Sequence, residues 1–420
     1  MKNIRLNPLL LVGGWLVLYG CAGSKSSMSV RVKNPASVSR EQELVEIPLA
    51  SFKGMHAERG DEGWIVLDRN GRQIPSQVTH DSLLLFPVTL SPLASDTYRI
   101  ERGKPDKYEM VACGNVYPNR LDDVAWENDK AGYRAYGPAL QRTGEKAYGY
   151  DVFTKSVAYP VLERRYQMET SSEILSRISE LRKQGKKNEA DSLRNATSYH
   201  VDHGNGMDCY NVGPTLGGGT AALLHGTDII YPYCYQHVEI LDNGPLRFCM
   251  RLRYHPFSLA ADSGVVETRK ITLDAGSHLN KTEVIYNRLS KPTGIVAGIV
   301  LHPQNPDGYF YNTEKGILVY ADSTNNKRNN NGVIYVGLVF GQYPDSTGVR
   351  WFDDAEKKKR PGALGHVLGC GTYYPGTAYT YYWGSGWSKS NMRDMNAWKN
   401  YLQEYAEKIK HPVLVEVDRK

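Results

Sequence analysis

The feature that most restricts the fold of this chain is a long series of short β-type runs between residues 218 and 385. The runs are rich in Val, Ile, Leu, Thr and Tyr, and turn sequences such as Asp242-Asn243-Gly244 and Asn329-Asn330-Asn331-Gly332 separate them. Many short strands with turns at this spacing are typical of an antiparallel sandwich. We therefore predict a mainly β fold with a large antiparallel β-sandwich, which we assign to residues 106–420.

Two further regions complete the predicted organisation. Residues 30–105 also alternate short strands with turns, including Asn70-Gly71, and are predicted to form a small N-terminal β-sandwich module. After a strand-like segment at 158–168, the apolar residues of 171–196 recur every three or four positions, which predicts a helical insertion with a charged outer face. A second helix is predicted over 390–410, because apolar residues recur there at helical spacing, and Pro412 ends it.

The first 21 residues read as a signal peptide rather than as part of the fold. Lys2 and Arg5 precede a short apolar run, and the sequence Leu18-Tyr19-Gly20-Cys21 resembles a bacterial lipobox in which Cys21 is lipidated. The run is shorter than the ~20 residues that span a bilayer. We expect residues 22–29 to be a polar tether and the protein to be anchored by lipid in the outer membrane, on its periplasmic or its surface face.

Composition excludes some classes of partner and favours another. The net charge is only +6 and the basic residues are dispersed, which argues against nucleic acid. The chain holds 29 tyrosines but 8 phenylalanines, and phenol rings combine a flat apolar face with a hydrogen-bonding group, as sugar-binding surfaces do. An unliganded tyrosine-rich sheet would have the same composition. The cysteine spacings match no zinc module, and no cofactor or metal is predicted on that basis.

The first candidate cluster lies within 121–138 and combines four acidic residues, an amide, a tryptophan and an arginine. Arg134 can bind a carboxylate through two hydrogen bonds, which suits an acidic sugar. The structural alternative is an internal salt bridge from Arg134 to Glu127 or Asp129 that fixes a loop. The candidates in this cluster are Trp126, Glu127, Asn128, Asp129 and Arg134.

The second cluster lies within 199–217, where glycines alternate with Asp, His and Tyr. Glycines allow a loop to approach a ligand closely, and His203 titrates near neutral pH. Tyr210 can exchange a proton if a nearby cation lowers its pKa. A divalent cation at Asp202, His203 and Asp208 is a further possibility, although no HExxH-like spacing occurs. We predict that the two clusters form one site.

Other candidates for substrate binding are single residues or pairs. His237 and Glu239 alternate along one predicted strand and so share a face. Trp383, Trp387 and Lys389 offer aromatic platforms and a cation at a strand end. Each histidine of this group is also readily explained as a structural residue. The remaining members of the group are His302 and His366.

At the two clusters the sequence resembles a family of bacterial lipoproteins known as domain of unknown function 4861. The residues that carry the resemblance are Trp126 to Leu140 and Asp202 to Gly217. The resemblance implies a role in systems that degrade plant or algal polysaccharides, often rich in uronic acid. A looser similarity of Asp274 to Asn280 and the flanking strands to galactose-mutarotase-like supersandwiches bears on the fold and not on the chemistry.

We therefore expect a carbohydrate-active enzyme, either a lyase or a glycoside hydrolase, that acts on oligosaccharides or polysaccharides containing uronic acid. For a lyase, Arg134 and Asn128 would neutralise the substrate carboxylate, and His203 and Tyr210 would act as base and acid. For a hydrolase, Asp129 and Asp208 would flank the scissile bond. The alternatives are a non-catalytic glycan-binding surface lipoprotein and a sugar epimerase or mutarotase.

Overall fold

The computed structural model describes residues 27–52, 54–55, 62–323 and 330–419. Strands hold 46% of the residues and helices 17%, and the strand pairs within the sheets are antiparallel, which confirms the predicted mainly β fold. The signal peptide, Cys21 and most of the predicted tether lie outside the described residues. The first strand already begins at Ser27, within that tether. Among the residues described, no helix is both long and apolar enough to cross a membrane.

Two small sheets pack face to face at the N-terminal end of the chain, and we number all strands in chain order. Val30 and Val45 of opposite sheets are both fully buried, because alternate residues of each strand point inward. Sheet 1 consists of β27 (Leu414–Arg419), β1 (Ser27–Lys33), β7 (Ser95–Gly103), β3 (Gly63–Leu67) and β4 (Gln73–Ile74). Sheet 2 consists of β2 (Arg40–Pro48), β6 (Leu83–Leu90) and β5 (Gln77–Val78).

The last strand belongs to this small sandwich, although we had assigned the C-terminus to the large domain. Val417 of β27 lies opposite Val30 of β1, so the chain returns to its own beginning. The physical reason is that β1 would otherwise expose an unpaired edge, and the C-terminal run supplies the missing partner.

Three sheets form the large part of the molecule. Sheet 3 consists of β12 (Gly206–Asp208), β11 (Asp151–Lys155), β10 (Ala131–Ala135), β9 (Asp123–Glu127) and β8 (Cys113–Tyr117). Sheet 4 consists of β14 (Asp228–Ile230), β13 (Gly218–His225), β20 (Thr293–Leu301), β25 (Gly365–Tyr373) and β24 (Ser346–Trp351).

Sheet 5 is the largest and shares one apolar core with the other two. Trp126 and Tyr133 of sheet 3, Ile295 of sheet 4 and Trp383 of sheet 5 are all buried in that core. Its strands are β15 (Tyr235–Asp242), β16 (Arg247–Tyr254), β18 (Asp262–Asp274), β19 (Leu279–Asn287), β26 (Tyr379–Trp387), β23 (Ile334–Phe340), β22 (Ile317–Asp322) and β21 (Tyr309–Asn312), with β17 (Phe257–Leu259) paired to β18.

The helices are α1 (Pro138–Arg142), α2 (Leu162–Thr170), α3 (Ser172–Lys183), α4 (Lys187–Thr197), α5 (Asp354–Lys359) and α6 (Met395–Lys410). The predicted helical insertion therefore contains α3 and α4. The strand-like interpretation of 158–168 was wrong over α2, because Leu162 and Tyr166 are one helical turn apart and both pack against sheet 3. The C-terminal helix begins at Met395, where the side chain of Asp394 accepts a hydrogen bond from the Ala397 N–H group.

Helix α2 determines which part of sheet 3 carries polar groups. Alternate residues of its strands face away from the common core, and Ala125 and Phe153 at the middle of this outer face pack against Leu162 and Tyr166. Charged side chains are left at the two ends of the same face. Asp123, Arg134, Asp151 and Asp208 lie at one end, and Glu127 and Lys155 lie at the other.

Candidate functional site

Three carboxylates surround one guanidinium at the first end of the outer face. Asp151 Oδ2 accepts hydrogen bonds from Arg134 Nε, at 3.1 Å, and from Arg134 Nη2. Nη2 also donates to Asp208 Oδ2 at 3.0 Å, and Nη1 lies 3.8 Å from Asp123 Oδ2. All four residues are at most 8% exposed. We call Asp123, Arg134, Asp151 and Asp208 the Arg134 cluster.

The strand register brings these residues together. Arg134 of β10 lies directly opposite Asp151 of β11. Asp123 begins β9 and Asp208 ends β12, and in an antiparallel sheet these positions fall at the same end. Arg134 and Asp208 are 74 residues apart in the chain. The two motifs found in the sequence therefore meet in this cluster.

The backbone before Asp123 is strained. Leu121 and Asp122 have φ angles of 59° and 61°, a left-handed conformation that costs each residue about 1 kcal/mol or more. The turn is held by its surroundings, since a Cβ atom at Gly137 would lie 1.9 Å from the Asp122 carbonyl oxygen, and Tyr235 donates to the same oxygen. Strain of this kind tends to occur at functional sites.

Burial makes two of the carboxyl groups weaker acids than usual. It raises the pKa of Asp208 to about 6, as does the charge of Asp151, while Arg134 opposes the shift. The pKa of Asp123 is raised to about 6 by burial, against the effects of Arg134 and Arg120. A carboxyl group that keeps its proton near pH 6 can act as a general acid.

Several other side chains border the cluster. His200 Nδ1 lies 2.9 Å from the Asp208 carbonyl oxygen and 4.0 Å from its carboxylate, and its side chain is 57% exposed. The Tyr136 hydroxyl donates to Asp151 Oδ2 at 2.8 Å. The Arg120 guanidinium lies 5.0 Å from the centre of the Tyr199 ring and makes no ion pair among the described residues. These groups leave a cation and an imidazole at the rim.

The other acidic candidates of the first motif have structural roles. Glu127 accepts from Lys155 Nζ at 2.6 Å and from the Val161 and Leu162 N–H groups, which fixes the start of α2. The Asn128 amide donates to two backbone carbonyls of 274–277, and Asp129 accepts from the Gly276 N–H group. The structural alternative of an internal salt bridge from Arg134 is therefore confirmed in kind, but its expected partners Glu127 and Asp129 were wrong, since Arg134 pairs with Asp151 and Asp208.

The tryptophans proposed as sugar platforms are buried. Trp126 and Trp383 are fully buried, and the Trp383 ring stacks on Tyr150 with ring centres 4.0 Å apart. Trp387 is 2% exposed, and its indole N–H donates to the Asn331 carbonyl. Large aromatic side chains were needed to fill the core between sheets 3 and 5, so none of the three offers a face to a ligand.

The glycine-rich loop is organised by its own hydrogen bonds. The Asp202 carboxylate accepts from the Gly204 and Gly206 N–H groups and lies 3.4 Å from Lys389 Nζ. His203 is exposed, with Nε2 3.2 Å from the Ser198 carbonyl oxygen. Asp208 instead belongs to the Arg134 cluster. The three residues considered for a divalent cation therefore each have different partners.

The remaining histidine and tyrosine candidates do not join the cluster. His237 and Glu239 are exposed on β15, and Glu239 pairs with Arg251. His302 Nδ1 lies 2.6 Å from Asp322 Oδ2 in the core. His366 accepts from the Leu216 N–H group, and burial lowers its pKa to about 3. Tyr210 is buried, and burial raises its pKa well above 10 rather than lowering it as we had considered.

Asp151 is the member of the cluster that sequence reasoning missed. It begins the short run Asp151-Val152-Phe153-Thr154-Lys155, which has a charge at each end and no glycine-rich or acidic neighbourhood. A charged residue on an otherwise apolar, alternating strand was the available signal, because such a charge must find a partner when it is buried.

A second feature is a cleft of about 1240 Å³ between the small sandwich, sheet 5 and α6. Four tyrosines line it together with several charged side chains, and aromatic walls are common in ligand-binding clefts. The lining includes Tyr382, Tyr401, Tyr405, Lys281 and Glu283. The Arg134 cluster does not contribute to this cleft.

The fold and the cluster together define a multi-sheet antiparallel β protein with a buried cluster of one arginine and three carboxyl groups. The chain belongs to the family described as domain of unknown function DUF4861, whose model matches residues 32–415. It is 24% identical over 436 residues to "Uncharacterized protein P7" of Formosa agariphila, a match that covers 99% of this chain and all of the relative.

Two solved structures resemble the fold distantly. An alpha-mannosidase from Enterococcus faecalis V583 has a TM-score of 0.44 and 11% identity, and covers 93% of this chain and 46% of its own. A protein of glycosyl hydrolase family 38 from Enterococcus faecalis has a TM-score of 0.42 and 10% identity, with 93% and 47% covered. The chain thus spans about half the length of these proteins.

Proposed function

We propose that this protein is a carbohydrate-active enzyme that cleaves glycosidic bonds in oligosaccharides containing uronic acid, with the Arg134 cluster as its acid–base centre. The observation that carries the proposal is the pair of buried carboxyl groups, Asp123 and Asp208, whose pKa values are both raised to about 6. Glycoside hydrolases use a carboxylic acid with a raised pKa to protonate the leaving oxygen.

Asp208 is the proposed general acid, because its carboxylate lies 4.0 Å from the imidazole of His200, whose side chain is 57% exposed. Asp123 or Asp151 would be the second carboxylate. Asp123 and Asp208 both approach the same guanidinium, within 3.8 Å and 3.0 Å, so their separation stays within the roughly 9.5 Å upper limit for inverting glycosidases. Arg134 is then a positioning residue that keeps the carboxyl groups in place.

This arrangement favours a hydrolase over a lyase. A lyase needs a free cation for the substrate carboxylate, but the Nε and Nη2 donors of Arg134 are bound by Asp151 and Asp208. Tyr210 is a poor proton carrier because burial raises its pKa. Arg120, which has no ion pair among the described residues, provides a positive charge beside the His200 imidazole at the rim, where a uronate carboxylate would bind.

The test is to incubate the full chain with uronic-acid oligosaccharides while following both new reducing ends and absorbance from a C4–C5 double bond. We expect new reducing ends without that absorbance, and a rate that falls as pH rises through about 6, because Asp208 must be protonated. Asp208→Asn should lower kcat by ~100-fold or more. Asp228→Asn, at an exposed aspartate of β14, is the matched control.

His200→Ala and His203→Ala separate the two imidazoles near the loop. We expect the first to raise KM for acidic substrates and the second to have little effect, since His203 contacts the Ser198 carbonyl instead. Full activity in a folded Asp208→Asn variant would refute the proposed centre. A double-bond product would replace the hydrolase with a lyase.

The second candidate function is capture of oligosaccharides without turnover, and the tyrosine-lined cleft favours it. Tyr382 lines the cleft beside Tyr401 and Tyr405, so sugar rings could stack there. If the protein binds oligosaccharides but releases no product, and Tyr382→Ala weakens binding while Asp208→Asn does not, the protein is a binding protein. The lipobox at Cys21 would in either case tether it to the cell envelope.

A further inference from the structure

A histidine, an aspartate and a cysteine meet where the small sandwich touches sheet 5. His80 lies in the turn between β5 and β6, Asp242 ends β15, and Cys249 lies on β16. His80 Nδ1 is 2.7 Å from Asp242 Oδ2, and the ligand atoms of all three residues lie within 4.8 Å of one another. The Arg134 cluster and the proposed cleavage of glycans involve none of these residues.

The backbone is shaped to present these three side chains. A β-bulge between Ile240 and Asp242 places Asp242 opposite Cys249, and bulges often redirect a side chain near functional sites. The His80 N–H group donates to Asp242 Oδ1 at 2.8 Å, which orients the carboxylate so that its other oxygen faces the imidazole. The group is therefore ordered by main-chain contacts as well as by side chains.

Burial and access also suit a bound ion. Cys249 is 2% and Asp242 8% exposed, whereas the side chain of His80 is 26% exposed and gives solvent a route to the group. Asp81 Oδ1 lies 3.9 Å from His80 Nδ1 but accepts a hydrogen bond from the Thr79 hydroxyl at 2.6 Å, so it borders the group without belonging to it. The nearby ammonium of Lys270 is paired with Glu283, with 3.3 Å between Nζ and Oε2.

We propose that His80, Asp242 and Cys249 bind a zinc ion, with water in the fourth position. Nitrogen, oxygen and sulfur donors of this kind are the ligands that zinc takes. With bonds of ~2.0–2.3 Å, tetrahedral ligands lie on the order of 3.3–3.8 Å apart. The His80–Asp242 pair is closer than that, at 2.7 Å, and all three ligand atoms lie within 4.8 Å of one another.

Zinc binding requires Cys249 to release its proton. Burial raises the pKa of the Cys249 thiol to about 11, while the Thr272 hydroxyl, 3.5 Å from Sγ, and the charge of Lys270 act in the opposite direction. A coordinating metal deprotonates a bound thiol, so zinc binding releases the Cys249 proton.

The expected consequence is structural, because the ligands come from two parts of the fold. His80 belongs to the small sandwich, and Asp242 and Cys249 belong to sheet 5. The existing contacts here include the Gln77 side chain, which accepts from the Leu246 and Arg247 N–H groups. An ion would add a covalent-like link between the two parts.

The test is a titration of the full chain, without a polyhistidine tag, with Co²⁺ and then with Zn²⁺. Cobalt bound by a thiolate gives a charge-transfer absorption band, which zinc should then remove by competition. The band should be absent in Cys249→Ser and present in Cys370→Ser, a partly buried cysteine of β25. Cys21 is common to these variants and cancels in the comparison.

His80→Ala keeps the test decisive if Cys249→Ser does not fold, since an exposed turn tolerates the change. Loss of an outer-shell partner alone weakens metal sites ~10–100-fold, so His80→Ala should weaken binding by at least ~100-fold. His237→Ala, at an exposed histidine of β15, should leave it unchanged. Zinc should raise the Tm of the wild type but not of His80→Ala. No band in the wild type, or a band that survives Cys249→Ser, would overturn the proposal.

Discussion

Replacing Arg134 with methionine is the sharpest test of the cluster, because it removes one charge and nearly preserves volume. Arg134 contacts Asp151 and Asp208 at hydrogen-bond distance and is 8% exposed, with Asp123 3.8 Å away. Removing one partner of a buried ion pair costs about 3–5 kcal/mol, since the other charge stays buried without compensation. We expect a loss of unfolding free energy in this range near pH 8.

The loss of unfolding free energy caused by Arg134→Met should depend on pH, because the charges of the neighbouring carboxyl groups depend on pH. Asp123 and Asp208 have folded pKa values of about 6, above the ordinary 3.8, so the folded state binds these protons more tightly than the unfolded state. Their contribution to stability is present below about pH 4 and is lost as the pH rises through about 6. Without Arg134 their pKa values rise further.

At about pH 5 these groups are mostly protonated, so Arg134→Met leaves fewer buried charges and costs less. We expect the loss at pH 5 to be smaller than at pH 8 by at least ~1.4 kcal/mol, a tenfold change in the equilibrium constant. Urea unfolding at both pH values, analysed with a common m-value, measures the difference.

The matched control is Arg251→Met, which breaks an exposed ion pair with Glu239 and should cost less than about 1 kcal/mol at either pH. An Arg134→Met loss equal to that of the control, or the same loss at both pH values, would refute the account of a buried, proton-binding cluster.

Two other predictions concern the opposite end of sheet 3 and the anchor. Lys155→Met should cost about 3–5 kcal/mol in unfolding free energy, because Glu127 would keep its buried charge without the ammonium 2.6 Å away. The double variant Lys155→Met with Glu127→Gln should recover part of this loss. If it recovers none, the pairing of Lys155 with Glu127 is contradicted. Cys21→Ser should release the protein from membranes in a fractionation experiment, and a processed variant that still sediments with membranes would contradict the lipid anchor.

The sequence determined the fold class because the relevant signal is local. In β1, apolar residues such as Val30 and Val32 occupy alternate positions and so share one face of the strand. This alternation and turn sequences such as Asp242-Asn243-Gly244 can be read from a few neighbouring residues, and together they specify antiparallel β structure. It also identified the two segments that supply Arg134 and Asp208, because so many polar and glycine residues are poorly suited to a core.

Local patterns did not identify the partners of these residues. Asp151 stands alone in its own strand, and only the pairing of β10 with β11 brings it to Arg134. The segment 158–168 resembled a strand until the contacts of Leu162 and Tyr166 with sheet 3 selected a helix, since tertiary packing overrides weak propensity.

The tertiary structure alone decided which polar and aromatic groups are available for chemistry. Trp126 and Trp383 are of the residue type that forms sugar platforms, but both fill the space between two sheets. Glu127 and Asn128 bind backbone groups of neighbouring segments. Burial and partner choice depend on residues that are distant in the chain: Trp126 packs against Trp383, and Arg134 bonds with Asp208, 74 positions away. The sequence therefore set the strands and their polar motifs, and packing determined which carboxyl groups lie beside Arg134.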